Sequence, residues 1–396
     1  MDAWLTRAPN SATVTTPLFR VPLPLPHPKN HGIAVVPPLI LTSPPPAPKE
    51  SLTHPAGRDQ RGQPDQLAPK ESLTHLPTVL DTFLIPLLSP ENHMFDARRL
   101  RLLVELKQRG TLAAVAQALA YSPSAVSQQL SQLEREVGVP LLEAAGRRVQ
   151  LTPQGDALVH HGRTILDRLE EAEAAVAQTL TTVNGTVGIA VFQSAAHAII
   201  PQALGILRAE HPDLRVEVTE REPDAGLFEV SARDYDLVVA EQYPGHTRAH
   251  RADLDRVVLI TDHIRLALAP DAPAEARPLS AHADRAWVME PVGTASRQWA
   301  EQLCRAAGFE PDVRYETADL MAHIRLVRSG LAVGLLPDLV WAGDAPTVTL
   351  FPLPEKPERE VFTSARRAAA SRPAVVACRD ALTRAARGIH PVQGMP

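Results

Sequence analysis

Residues 112–137 carry two short helical patterns that meet at a tight turn. In the first pattern the apolar positions share one helix face: Leu112, Val115, Ala116 and Leu119. The turn at residues 120–122 has the length found in helix-turn-helix units. Ser122 and Pro123 then supply an N-cap and a first-turn proline, so the second helix begins sharply there. This pattern predicts a helix-turn-helix.

The second of these helices has an outward face that is short, polar and nearly uncharged. Such a face suits entry into a major groove, because Gln can pair with adenine edges and Ser with bases or phosphates. Taken without their sequence context, Ser and Gln residues on a helix would indicate only an ordinary solvated surface. Their position behind the turn favours DNA contact, which we expect from Ser122, Pro123, Ser124, Ser127, Gln128 and Gln129.

A small hairpin is expected directly after this helix. Residues 146–151 alternate between apolar and polar side chains, and Arg147 and Arg148 fall at the tip. A basic wing beside a recognition helix would hold phosphates or the minor groove. Residues 94–152 are therefore predicted to form a winged helix-turn-helix that binds double-stranded DNA.

A longer helix is predicted for residues 153–185. Thr152 and Pro153 repeat the cap chemistry, and Asn184-Gly185 is expected to stop the helix. Apolar residues follow at near-heptad spacing: Leu158, Ile165, Leu169, Ala172 and Val176. The helix could dock on its own chain, but pairing with a second copy is the favoured interpretation, which gives a homodimer or homotetramer.

The head resembles the N-terminal signature of the LysR-type transcriptional regulators. The matching residues are Ser122-x-x-Ala125-Val126-Ser127, Leu133-Glu134, Gly138, Leu141-Leu142 and Leu151-Thr152-Pro153-x-Gly155. The resemblance extends in order and length over residues 94–390. It implies a winged-helix head, a dimerising linker helix and an effector domain similar to periplasmic binding proteins. Leu142 replaces a usual Phe, and Ala144-Ala145 stand where the family usually has an Arg.

From residue 186 predicted strands alternate with helices in two sets, which implies two lobes and a cleft between them. Lobe one is expected at residues 186–265 and 347–390, and lobe two at residues 266–346. The expected fold is α/β, with an N-terminal all-α-like winged helix-turn-helix and a two-lobed, periplasmic-binding-protein-like effector domain.

A small-molecule effector is expected where strands end and helices begin, because helix N-termini present free N–H groups there. The candidate residues are Gln193, Ser194, Glu220, Tyr243, Glu290, Gly293 and Thr294. Helix capping alone would also explain Ser194 and Thr294, and solvation would explain Glu220. Two helix ends favour a carboxylate, and acidic neighbours favour an amino acid that brings an ammonium group.

Charge and motifs exclude several other classes. The formal net charge is −5, but residues 94–152 carry 8 basic and 5 acidic groups, against 25 and 33 in the chain after them. Catalytic and phosphate-loop motifs are missing from the sequence, so neither an enzyme nor a cofactor or metal site is expected.

Cys304 and Cys378 are interpreted as buried thiols, and the chain is expected to be cytoplasmic and not membrane-bound. A constitutive DNA-binding protein with a vestigial cleft, or a small-solute receptor, remains the alternative.

Residues 1–93 hold 18 of the 38 prolines and show no periodic apolar face, so a disordered extension is expected. The octapeptide at residues 47–54 recurs identically at residues 68–75. No methionine lies between Met1 and Met94. One hypothesis is that translation starts at Met94. The other is that the segment is a genuine proline-rich tether.

Overall fold

A computed structural model of the chain describes residues 95–146, 148–246, 251–273 and 278–389. None of the helices within these ranges is long and apolar enough to cross a lipid bilayer. The expectations for residues 1–93 and for a start at Met94 lie outside the described residues, and so does Arg147 of the predicted wing tip.

The first described region is a small helical domain with a hairpin. Its elements are α1 (Ala97–Arg109), α2 (Leu112–Ala118), α3 (Pro123–Val137), β1 (Leu142–Ala145) and β2 (Arg148–Leu151). The side chains of Asp96, Thr111 and Ser122 cap the three helices by accepting hydrogen bonds from first-turn backbone N–H groups. The apolar helix faces close on one core that contains Leu103 and Leu130. The predicted winged helix-turn-helix is confirmed.

The wing is a two-stranded antiparallel hairpin. Leu142 pairs with Leu151, and Ala145 pairs with Arg148. Leu142, which stands where the family usually has Phe, is half-buried and packs against the core of the head. Ala144 and Ala145, which stand where the family has an Arg, are exposed. The hairpin therefore forms with Leu142 in place of the usual Phe. With Ala144 and Ala145 in place of the usual Arg, its surface lacks a positive charge there.

The linker helix α4 covers Pro153–Gln178 and is shorter than predicted. Thr152 caps its start, where its Oγ1 accepts a hydrogen bond of 3.1 Å from the backbone N–H of Gly155. The expected stop at Asn184-Gly185 is wrong, because the helix ends at Gln178. Thr179 donates from its Oγ1 to the carbonyl oxygen of Val176 at 2.7 Å, and such local bonds offer the backbone an alternative to further helix.

The remaining chain forms an α/β domain of two lobes. Its elements are β3 (Gly185–Val191), α5 (Gln193–Ala198), α6 (Ile200–Glu210), β4 (Leu214–Glu220), α7 (Pro223–Ser231), β5 (Leu237–Gln242), β6 (Val257–Leu268), β7 (Ala286–Met289), α8 (Ala295–Ala306), β8 (Asp312–Glu316), α9 (Leu320–Arg328), β9 (Gly334–Pro337), β10 (Thr349–Pro352), β11 (Glu358–Ala365) and α10 (Pro373–Arg387). Short 3₁₀ turns cover Leu279–His282 and Asp338–Trp341.

The long strand β6 belongs to both lobes. Its first half pairs antiparallel with β11, and the lobe-one sheet continues in the order β11, β5, β3, β4. Its second half pairs antiparallel with β9 and β10 of lobe two. The parallel pair β7 and β8 completes lobe two and joins it through a bridge between Trp287 and Val333. The two-lobed architecture is confirmed.

Two details of the lobes differ from the expectation. Phe351 of β10 pairs with Leu266 and packs, with Leu353, in the core around Trp287, so we assign residues 349–353 to lobe two and not to lobe one. The sequence pattern also gave no sign of α7. This helix holds Pro223 and Gly226, and its short length gives a weak periodic signal.

Candidate functional sites

The outward face of α3 is the candidate DNA-reading surface. Ser122, Pro123, Ser124, Ser127 and Gln128 are exposed there, as predicted, while the apolar side of the helix is buried. The Ser122 Oγ accepts a hydrogen bond of 3.1 Å from the backbone N–H of Ala125, and so it caps the helix. The exposed side chains have the length and polarity to reach base edges in a major groove.

Gln129 is placed differently from its neighbours. Its side chain is half-buried, and its Oε1 accepts a hydrogen bond of 3.0 Å from the Nε of Arg99 in α1. Arg99 also pairs with Glu136 of α3. Gln129 thus braces the recognition helix against α1 with its amide oxygen, a role that its spacing in the sequence did not indicate.

The wing is tied to the recognition helix by one carboxylate. The Oε1 of Glu134 accepts hydrogen bonds from the backbone N–H groups of Leu141 and Leu142, at 2.9 and 3.0 Å. Glu134 therefore fixes the start of the hairpin on α3. Arg148 is exposed on β2, where its guanidinium is available for phosphate contact.

A cleft of about 140 Å³ lies between the two lobes. Its lobe-one wall is Glu222, Pro223, Asp224 and Glu241, and its lobe-two wall is Gly293, Thr294, Ala295 and Ser296. The helices that begin at the cleft are α7 and α8. The Thr294 Oγ1 accepts a hydrogen bond of 3.3 Å from the backbone N–H of Arg297 and so caps α8.

Four of the seven predicted effector residues lie at or beside this cleft. Gly293 and Thr294 line it directly. Tyr243 and Glu290 line a smaller recess of about 30 Å³ in lobe two, which shares Ser296 with the cleft. Tyr243 packs on Trp299, with their ring centroids 5.5 Å apart.

Ser194 does not cap a helix, and that part of the sequence interpretation is wrong. Phe192 occupies the N-cap position of the six-residue helix α5. The Ser194 hydroxyl is buried and accepts a hydrogen bond of 2.7 Å from the Nη2 of Arg359. Arg359 also donates to Asp262 at 2.9 and 2.7 Å, and it pairs with Glu241. Ser194 therefore belongs to a buried ionic cluster behind the cleft wall.

Gln193 and Glu220 lie outside the lining of the cleft. The Gln193 Oε1 accepts a hydrogen bond of 2.8 Å from the backbone N–H of Leu320. A lobe-one side chain is therefore the acceptor for a first-turn N–H group of the lobe-two helix α9. Its Nε2 lies 3.4 Å from Asp319. Glu220 is exposed at the end of β4. Gln193 is better placed to fix the relative position of the lobes than to contact a ligand.

The cleft is acidic. Burial, followed by the negative charges of Glu241 and Glu222, raises the pKa of Glu290 to about 7. The Oγ of Ser296 donates a hydrogen bond to the Glu290 carboxylate and works against this shift. All residues that line the cleft are described, and they include no Lys, Arg or His. The Glu222 and Asp224 carboxylates on the lobe-one wall would attract a positively charged group.

The sequence interpretation missed Glu222, Asp224, Glu241 and Ser296. Glu241 lies at the carboxyl end of β5, where the rule used for the other candidates would have found it. Glu222 and Asp224 were missed with α7 itself. Ser296 enters the cleft because it lies in the first turn of α8.

Other reactive groups are few in the part of the chain that the structure describes. No group of three or more His, Cys, Asp or Glu side chains there is arranged to hold a metal ion. Cys304 lies in the core of lobe two and Cys378 in the core of lobe one. Burial raises the pKa of each thiol to about 12, so both stay protonated at neutral pH.

A winged helix-turn-helix in front of a two-lobed α/β domain defines a DNA-binding regulator with an effector domain. Two family models match the chain: the LysR substrate binding domain over residues 181–387, and the bacterial regulatory helix-turn-helix protein, lysR family, over residues 97–156. The chain belongs to the LysR family of transcriptional regulators, which bind DNA and respond to small-molecule effectors.

Known proteins resemble the chain over most of their length. The transcriptional dual regulator GltC of Bacillus subtilis (strain 168) is 29% identical over 259 residues, which cover 64% of this chain and 85% of GltC. A probable hydrogen peroxide-inducible genes activator of Mycobacterium avium is 26% identical over 244 residues, 60% of this chain and 76% of that protein. Full-length OxyR from Pseudomonas aeruginosa shares the fold, with a TM-score of 0.55 at 19% identity, over 77% of this chain and 100% of OxyR.

Proposed function

We propose that this regulator reads its operator with the exposed residues of α3 and holds the DNA backbone with its wing. Ser124, Ser127 and Gln128 contact base edges, and Arg148, together with Arg147, contacts phosphates. The observation that carries this assignment is the sharp division of α3: Val126 is fully buried, while Ser127 and Gln128 beside it are exposed. A face that is polar but uncharged supports base reading more than general attraction to phosphates.

The linker helix pairs with a second copy of the chain. Ile165, Leu169 and Val176 are 38%, 45% and 66% exposed along one face of α4. Nearer its start, α4 packs on the head of its own chain: a β-carbon on Gly162 would lie 3.4 Å from the Cγ2 of Val104 in α1. An apolar stripe with near-heptad spacing supports helix pairing, hence a homodimer or a homotetramer built from such dimers.

The effector is a small molecule that carries an ammonium group, and an amino acid fits best. Glu222 and Asp224 line the lobe-one wall, where a simple carboxylate would meet their negative charge. The N-terminus of α8 supplies N–H groups for the carboxylate of a zwitterion. A cavity of about 150 Å³ holds a benzene ring, so a cleft of about 140 Å³ suits a ligand of a few heavy atoms.

The protein acts by binding and not by catalysis, in the cytoplasm where its DNA target lies. Two alternatives keep the fold and change the function: a constitutive DNA-binding protein with a vestigial cleft, and a small-solute receptor. The exposed face of α3 disfavours the receptor. Calorimetry against amino acids distinguishes the constitutive protein, because that protein would bind none of them.

The experiment combines a DNA footprint with a thermal-shift screen. DNA upstream of the gene is mapped for protection, and amino acids, primary amines and organic acids are tested for stabilisation of the wild type. Asp224→Asn and Thr294→Ala should weaken the response to an amino acid, and Asp213→Asn, on an exposed loop of lobe one, should not. Stabilisation that survives undiminished in both cleft variants would place the effector elsewhere.

A further inference from the structure

Arg109 of the DNA-binding head contacts lobe one of the same chain. Arg109, the last residue of α1, donates from its Nη2 to both carboxylate oxygens of Asp234, at 2.8 and 2.7 Å. Its Nε donates to Glu105 of α1 at 2.7 Å. Its guanidinium carbon lies 5.8 Å from the centroid of the Phe228 ring in α7. Arg109 is thus shared between a carboxylate of the head and a carboxylate of the effector domain.

The burial of this contact gives it energetic weight. The side chains of Arg109, Asp234 and Glu105 are 12%, 21% and 2% exposed. Exposed ion pairs contribute little to stability, but a partly buried Arg with two carboxylate partners forms stronger, charge-assisted hydrogen bonds. The contact therefore restricts the orientation of the head on lobe one.

The turn that follows α7 holds the linker helix as well. Arg233 donates to Asp167 of α4 at 2.6 Å and to Glu170 at 3.1 Å. Its φ of 64° is unusual for a residue other than glycine, and such a conformation persists where surrounding contacts fix it. Arg366 also reaches Glu170, at 2.9 and 3.1 Å. Residues 228–234 of lobe one therefore contact both α1 of the head and the linker helix α4.

The opposite end of α7 is a wall of the cleft. Glu222, Pro223 and Asp224 line the cleft where α7 begins. The helix has nine residues and ends at Ser231. At 1.5 Å per residue, α7 spans about 13 Å. Gly226 packs tightly on the sheet: a β-carbon there would lie 2.8 Å from the Cγ2 of Val238. A helix packed this closely moves as a unit, because close-packed interiors transmit displacement.

We propose that α7 couples the effector cleft to the DNA-binding head within one chain, with its first residues at the cleft and the Arg109–Asp234 contact at its other end. An effector that draws Glu222 and Asp224 towards lobe two displaces α7, loosens the contact with Arg109 and changes the orientation of α3 on DNA. The inference rests on the proposed effector role of the cleft. Coupling of this kind requires that the effector bind the two arrangements with different affinity.

The test needs no effector, so it fails or succeeds independently of the cleft assignment. Hydrogen–deuterium exchange is measured on the full chain for peptides covering residues 105–112 and 228–236. Asp234→Asn should speed exchange at the end of α1 by roughly fivefold or more, the change that corresponds to a loss of about 1 kcal/mol. Asp234→Glu, which keeps a carboxylate at this position and leaves Arg109 paired with Glu105, should keep exchange slower than in Asp234→Asn.

The second part of the test displaces α7 by a substitution in the middle of the helix. Gly226→Ala forces α7 away from Val238 and should also speed exchange in residues 105–112, although residue 226 does not contact the head. Adding Val238→Ala makes room for the new methyl group and should reverse the effect. Gly205→Ala, on α6 with open space around it, is the control. Affinity for a random-sequence DNA duplex should stay within about twofold in every variant, because the head remains folded.

The proposal is overturned if Asp234→Asn changes exchange only in its own turn, or if Gly226→Ala leaves residues 105–112 as in the wild type. If Gly226→Ala prevents folding, the paired variant with Val238→Ala and the comparison of Asp234→Asn with Asp234→Glu still decide the question.

Discussion

A β-carbon placed on Gly155 would lie 2.3 Å from the carbonyl oxygen of Leu141. The first turn of the linker helix therefore presses directly on the backbone that leads into the wing. The same carbonyl accepts a hydrogen bond of 2.9 Å from the backbone N–H of Thr152, and the Thr152 Oγ1 donates to the carbonyl of Pro140 at 2.9 Å. Because glycine has no side chain, the first turn of the linker helix can pack this closely against the backbone that leads into the wing.

Gly155→Ala should destabilise the head by about 1 to 3 kcal/mol, because the new methyl group meets backbone that cannot rotate away. Gly205→Ala is the matched control within a helix. Its β-carbon meets open space, and the gain in helix propensity should stabilise the chain by up to about 1 kcal/mol. Thermal unfolding of both variants measures the effect, and equal melting temperatures would contradict the contact.

Ser127→Ala and Gln128→Ala should relax sequence preference, while Arg148→Ala and Arg147→Ala should weaken binding to all DNA. Each arginine change should also lower the salt dependence of binding by about one counterion. Fluorescence anisotropy on operator and random duplexes, over a range of salt, separates the two effects.

Gln298→Ala removes an exposed glutamine of α8 and serves as the control for that series. It should leave both affinities unchanged. If all four head variants lowered operator and random-sequence binding by the same factor, the division into base-reading and phosphate-holding residues would be wrong.

Leu169→Asp should shift the chain towards monomer, because the carboxylate would be buried in the proposed helix pair without a partner. Thr164→Asp places the same charge on α4 away from the apolar stripe, at an exposed position, and should keep the oligomer. Sedimentation velocity at several concentrations gives the masses. A Leu169→Asp variant that keeps the wild-type mass would remove this face from the interface.

Glu290→Gln should change how stability depends on pH. The Glu290 pKa is raised from 4.5 to about 7, so the folded state holds a proton that the unfolded state releases. Its stabilising effect is complete below about pH 4.5 and is lost as pH rises through 7. From pH 5.5 to 8.5 the wild type should lose on the order of 2 kcal/mol of unfolding free energy relative to Glu290→Gln.

Urea unfolding at several pH values measures this difference. Gln at position 290 can still accept the hydrogen bond from Ser296, so the comparison isolates the charge. Glu217→Gln, which changes an exposed carboxyl of β4, is the control. Parallel stability curves for the wild type and Glu290→Gln would show that the Glu290 carboxyl is not buried in its protonated form.

The local elements could be predicted from the sequence because their causes are local. The caps at Thr111, Ser122 and Thr152 bond to N–H groups three residues away, and the apolar spacing of α3 identifies its buried face. The family signature rests on the same residues. The division into two lobes and the existence of a cleft followed from alternating strand and helix patterns.

Only the tertiary structure decided which side chains meet across the chain. Arg359 reaches Ser194 over 165 positions of sequence, and Arg109 reaches Asp234 over 125. The spacing of residues records neighbours within a helical turn or a strand pair, but it does not record which elements pack together. For that reason Ser194 could be taken for a helix cap, and the hydrogen bond between Gln129 and Arg99 was not foreseen. The helix α7, which borders both the cleft and the head, left no pattern strong enough to see.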